Sequence, residues 1–161
     1  MSPEVAQFVP LIVITPLLAA MAWNDLKNLK ISNRLVLTML AAFVLSTPVF
    51  LSFHETLYRA VFGVGVFVVG FVGFTLRLWG GGDVKAIAAL ILFVPSYFLL
   101  LFFYTFTLSM VVGMLFVITT RSIIGFPECR WLALRPKASY PMGVSIAMSG
   151  VLLPLVAMGL G

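Results

Sequence analysis

Apolar stretches long enough to cross a bilayer recur from one end of this chain to the other, and that recurrence constrains its fold more than any other feature. A hydrocarbon core of roughly 30 Å takes about 20 apolar residues in a helix. Runs of that order cover residues 5–23, 35–53, 58–78 and 141–160. The stretch 86–120 is too long for one crossing, and Pro95-Ser96 is its natural break. With 62% hydrophobic and 9% charged residues, the 161-residue chain has too little polar surface for a soluble domain. The expected fold is all-α: one membrane-embedded domain, residues 1–161, with about six transmembrane helices. The fourth is short, over residues 83–94, and the fifth covers 97–119. The first run has no basic segment before it and no Ala-x-Ala site after it, so it is expected to be a retained helix. Nothing suggests strands beyond a possible piece in the polar segment 121–140.

Charge orders these helices. The net charge is +5, but Lys and Arg sit in short segments between apolar runs rather than on a basic face, so no nucleic-acid partner is expected. Six crossings put Lys27, Lys30, Arg34, Arg77, Lys85, Arg121, Arg130, Arg135 and Lys137 on one side and leave Arg59 alone on the other. The positive-inside rule assigns the first group to the cytoplasm. The termini, His54 and Glu55 then face outward. The lone Cys129 allows no intramolecular disulfide and reads as an ordinary loop residue.

Of five acidic residues, topology sends Glu4 and Glu55 outside and Asp25, Asp83 and Glu128 inside. Asp25 is expected just after the first helix and Asp83 at the start of the fourth, both at the cytoplasmic end of the apolar slab. An ionisable group there is costly unless it is paired or lines a wet cavity, which makes it a functional candidate. Taken singly, Asp25 could pair with Lys27 or a headgroup, and Asp83 could cap its helix. Taken together at one depth, the two carboxylates can share a proton near neutral pH and act as one acid and one base. Such a dyad activates water against a peptide carbonyl without a metal, and no cofactor is expected. Gly80, Gly81 and Gly82 precede Asp83; they permit unusual dihedrals and leave the backbone open to an extended peptide. Gly63, Gly70 and Gly73 fall on one side of the third helix, where a neighbouring helix, or a substrate helix, can approach closely.

The run Gly80-Gly81-Gly82-Asp83-Val84-Lys85 resembles the GxGD motif of membrane-embedded aspartic proteases, in particular type IV prepilin peptidases. Asp25-Leu26-Lys27 followed by Ile31-Ser32-Asn33 is similar to the first aspartate motif of that family, with Ser32 in place of the usual proline. Tyr140-Pro141-Met142-Gly143 resembles a third element, with Met142 in place of an aromatic. The short first loop, without a Cys-x-x-Cys element or a large insertion, is similar to the short peptidases of Tad, Cpa and Flp pilus systems. An archaeal preflagellin peptidase shares the same arrangement.

The resemblance implies that Asp25 and Asp83 are the catalytic pair, with Gly80, Gly81, Gly82, Lys85, Asn33, Pro141 and Gly143 shaping the site or binding substrate. It implies a prepilin or pseudopilin helix as substrate, membrane lipids and pilus assembly machinery as partners, and a bacterial cytoplasmic membrane with the site facing the cytoplasm. Two other classes remain open at this stage: a small transporter or channel subunit binding cations or protons at the aspartates, and a non-enzymatic assembly subunit.

Overall fold

A computed structural model describes residues 6–159. Glu4, the first residue of the first run and the last residue of the sixth run lie outside them. The described secondary structure is entirely helical: α1 (Val9–Val13), α2 (Thr15–Asn28), α3 (Asn33–Phe50), α4 (Phe53–Thr75), α5 (Gly81–Ile91), α6 (Leu99–Ile124) and α7 (Met142–Gly159). Two 3₁₀ turns, Ser96–Phe98 and Leu132–Leu134, complete it, and the strand considered for segment 121–140 is absent among the described residues.

Four segments are long and apolar enough to cross a membrane: Asn33–Phe50, Phe53–Thr75, Ser96–Ile124 and Met142–Gly159. Their outward side chains, such as Val64, Val68, Leu115 and Phe116, are apolar and exposed. That surface suits lipid and not water, as in a membrane protein. Six crossings are compatible with the rest. The first run is divided at Ile14, because Pro16 in the first turn of α2 has no N–H and its ring crowds the preceding turn. The two pieces still reach from Val9 to Asn28, about 30 Å at 1.5 Å per residue. The 11-residue α5 covers only about half that thickness.

This short helix sits at the centre. Ala86, Leu90, Ile91 and Phe93 are fully buried, against a core that includes Leu18 of α2, Met39 of α3 and Ile146 of α7. The glycines of α4 make its approach possible. A Cβ on Gly63 would meet Leu92, on Gly70 Val84, and on Gly73 Trp79. The Gly63, Gly70 and Gly73 stripe therefore packs against the chain's own α5 and the residues that flank it. On the opposite side α7 packs chiefly against α2 and α6.

The far end of α5 carries the largest departure from the sequence expectation. Arg59 and Glu55 do not lie in an outward loop, because α4 begins at Phe53 with Ser52 as its cap. Arg59 is 1% exposed; its Nε donates to Glu55 at 2.8 Å and its Nη1 to the carbonyl of Phe93 at 3.1 Å. Glu55 also accepts from the backbone N–H and the hydroxyl of Ser96. The cluster satisfies backbone groups left free where α5 stops inside the bundle. Arg59 is thus a buried structural cation and not a loop charge, so the asymmetry of the loop charges does not depend on it.

Candidate active site

Asp25 lies inside α2, not after it. The apolar run stops at Trp23, but helical hydrogen bonding continues until Leu29 takes a left-handed conformation (φ 50°) and its N–H bonds back to the carbonyl of Asp25 at 2.8 Å. Asn24 holds the turn by donating to the carbonyl of Lys30, and Asn28 donates to Asn24. These bonds steer the chain so that Ile31 comes against Gly82, which joins the first aspartate's loop to the second's. Ser32 then caps α3 by accepting from the N–H of Arg34 at 3.3 Å. Its φ of −70° is close to the value a proline fixes, so serine keeps the backbone of the expected motif and adds a side-chain cap.

The Asp25 side chain is 4% exposed, and its Oδ2 accepts the backbone N–H of Gly143 at 2.7 Å. A pairing with Lys27 is not formed, as residues two apart on a helix do not face each other. Among the described residues the single salt bridge is Glu55–Arg59. Gly143 must be glycine for space: a Cβ there would stand 2.8 Å from Asp25 Oδ2 and 2.9 Å from its Cβ. Pro141 is buried just before it. The Tyr140 hydroxyl, to which the sequence motif assigns no role, donates to Ser145 Oγ, and Ser145 Oγ donates to the carbonyl of Ser109 at 2.9 Å. This chain ties the start of α7 to α6 and so holds Gly143 on Asp25.

Asp83 occupies the third position of α5, whose N-cap is Gly80, so the helix starts two residues earlier than expected and Asp83 is not its N-cap. The three glycines do not supply unusual dihedrals either. No glycine among the described residues has positive φ; Gly80 is extended, and Gly81 and Gly82 are already helical. What they supply is room. A Cβ on Gly80 would lie 2.6 Å from Asp83 Oδ2, one on Gly81 3.2 Å from Phe74, and one on Gly82 3.3 Å from Ile31.

Asp83 and Asp25 come to the same place, because Met142 lines one groove with Asp83 while the adjacent Gly143 donates to Asp25, and Gly82 packs against Ile31. Asp83 also lines a groove of about 730 Å³ between α4 and α6, floored by Val84, Ile87 and Ile91 of α5. The groove is otherwise apolar, with Gly65, Phe102, Phe106 and Met142 along it. Lys85 faces the other side of α5, where its Nζ donates to Asn33 Oδ1 at 3.3 Å. The structure thus brings Asp25, Asp83, the three glycines, Pro141 and Gly143 to one end of the bundle, and sets Lys85 and Asn33 beside them on a separate face. Among the described residues no three His, Cys, Asp or Glu side chains gather as a metal centre would require.

The segment 121–140 folds over this end. Arg121 donates twice to the carbonyl of Ala133, Arg135 donates to the carbonyl of Cys129, and Trp131 packs edge-on against Trp23 with ring centroids 4.7 Å apart. Cys129 is buried in it. Two of the basic residues used for topology thus also build the loop, a double role that charge counting does not reveal.

A family model for the type IV leader peptidase family matches residues 12–118 of the chain. The chain belongs to that family. The matched span contains Asp25 and Asp83, so a membership that rests on about two thirds of the sequence includes both carboxylates. It ends before Tyr140-Pro141-Met142-Gly143, so the contact of Gly143 with Asp25 is a property of this chain's own structure and not of the match. Comparison with curated proteins and with solved structures found no match to either.

Proposed function

We propose that this family member is an aspartic endopeptidase that removes the leader from prepilin-like substrates at the cytoplasmic face of the membrane. The observation that carries the reading is Asp83, a carboxylate at the end of an otherwise apolar groove between α4 and α6 that Met142 also lines, next to the Gly143 whose N–H binds Asp25. The exposed walls of that groove suit the apolar helix of a pilin precursor, and its acidic end suits a basic leader. The peptide bond between the two segments would then lie beside the carboxylates.

In this mechanism one aspartate is protonated and the other ionised. The ionised carboxylate takes a proton from water as that water attacks the scissile carbonyl, and the protonated one donates to the carbonyl oxygen. The gem-diol that results collapses as its hydroxyl proton returns to a carboxylate and the leaving nitrogen is protonated. The Gly143 N–H fixes one oxygen of Asp25 and so orients the other. Gly80 leaves the Asp83 carboxylate the room that a Cβ would take, and Gly81 and Gly82 let Phe74 and Ile31 close around the start of its helix.

The test is cleavage of a co-expressed or purified prepilin by Asp25→Asn and Asp83→Asn. Each should abolish processing while the protein inserts normally, because asparagine keeps the volume and removes a charge the bilayer disfavours. The double variant should be no worse than either single one. Cleavage by either single variant at the parental rate would refute the dyad, and a transporter would leave the pilin uncut throughout. Orientation is tested by cysteine labelling in a Cys129→Ser background. Positions beside Lys30 and Arg130 should react from the cytoplasm and positions beside His54 from outside.

A further inference from the structure

The helix that carries Asp83 has a second face, and it also borders a groove. Between α3 and α4 lies a gap of about 650 Å³, floored by Ala88 and Ala89 of α5 and by Leu92 just after it. α3 and α4 make little contact with each other, although only Leu51 and Ser52 connect them. The walls are exposed apolar side chains, among them Leu37, Leu40, Val44 and Val64. Its polar lining is Asn33 and Lys85, together at one end, with Lys85 Nζ on Asn33 Oδ1. Arg34 follows in the first turn of α3 and is exposed. The groove is therefore a long apolar slot with a cationic mouth.

We infer that this groove is a binding site for an anionic phospholipid, with one acyl chain between α3 and α4 and the headgroup phosphate on Lys85 and Asn33. Charge assigns the two occupants to the two grooves. The groove between α4 and α6 ends in the carboxylate of Asp83, which repels a phosphate. The groove between α3 and α4 ends in an ammonium and an amide, which attract one and disfavour a basic leader. The acyl chain supplies apolar burial and the phosphate supplies selectivity among lipids. A lipid here would support the side of α5 opposite the candidate active site. The inference does not rest on the peptidase reading, and its test needs no cleavage.

The full chain is reconstituted in phosphatidylcholine vesicles containing a minor share of phosphatidylglycerol with a diazirine in one acyl chain. After irradiation the labelled peptides are mapped, with a phosphatidylcholine probe of the same acyl structure in parallel. Label from the anionic probe should concentrate on Leu40, Val44 and Val64, well above the zwitterionic probe. Lys85→Gln should lower it about fivefold, the effect of one lysine at an anionic headgroup. Ala60→Phe, which fills the slot, should remove label from both probes at those residues while outward residues such as Leu115 keep theirs. Equal labelling of the parent by the two probes, or label spread evenly onto Val111 and Leu115, would overturn the site. So would displacement of the probe by a prepilin peptide, which would give the groove to the substrate, or crosslinks joining two copies of the chain across it. The parent protein alone decides these outcomes, so a variant that folds poorly does not obscure them.

Discussion

The two ends of α5 hold carboxylates under opposite conditions. At the Ser96 end, Glu55 accepts from the Arg59 guanidinium, the Ser96 N–H and the Ser96 hydroxyl, and its neighbour Arg59 is almost wholly buried. At the Gly80 end, Asp25 has the single N–H of Gly143, and Asp83 faces a groove with another carboxylate nearby. A fully bonded carboxylate is fixed in one ionisation state and serves as a structural tie. One left with free lone pairs beside a second acid keeps a proton it can give or take. On the proposed function, the same chemical group is architecture at one end of an 11-residue helix and reagent at the other.

Substitutions should separate these roles. The largest effect is expected for Asp25→Asn and Asp83→Asn, a loss on the order of a thousandfold or more in prepilin cleavage per molecule. Next is Arg59→Met, which leaves Glu55 without its cation and should cost about 3 kcal/mol of stability. A thermal unfolding midpoint in detergent checks this, and the surviving folded fraction should cleave at the parental rate. Gly143→Ala should follow. Its Cβ would overlap Asp25, and moving that carboxylate by a fraction of an ångström should slow cleavage about tenfold to a hundredfold with little change in unfolding. Gly80→Ala should act similarly through Asp83. Gly82→Ala should have the smallest effect, no more than severalfold, because its Cβ would meet Ile31 at 3.3 Å and the side chain can yield. Gly82→Val and Gly81→Leu should be more severe than this alanine, by crowding Ile31 and Phe74 and not by dihedral strain.

Much of this contrast was legible in the sequence at the Asp83 end and little at the other. Aspartates in an apolar slab are rare enough to single out Asp25 and Asp83, and the Pro95-Ser96 break gave the short helix. The end of α2 was not legible, because hydropathy stops at Trp23 while the hydrogen bonding stops only where Leu29 turns left-handed. Three consecutive glycines show that side chains are excluded, but not whether the reason is dihedral or space; only the positions of Asp83, Phe74 and Ile31 decide that. Glu55 and Arg59 have the four-residue spacing of a helical ion pair, yet the partner that makes them structural, Ser96, is 41 residues away. Gly143 and Asp25 are separated by 118 residues, and no periodicity reports such a contact.

The two ends of α5 are separated in one experiment by comparing three carboxamide variants, Asp25→Asn, Asp83→Asn and Glu55→Gln, on one prepilin. Cleavage is scored per molecule of folded peptidase, and unfolding midpoints are recorded alongside. The two aspartate variants should unfold like the parent and not cleave, whereas Glu55→Gln should unfold at a lower temperature and cleave at the parental rate. Parental cleavage by either aspartate variant, or loss of cleavage by a fully folded Glu55→Gln, would contradict this division of roles between the two ends of α5.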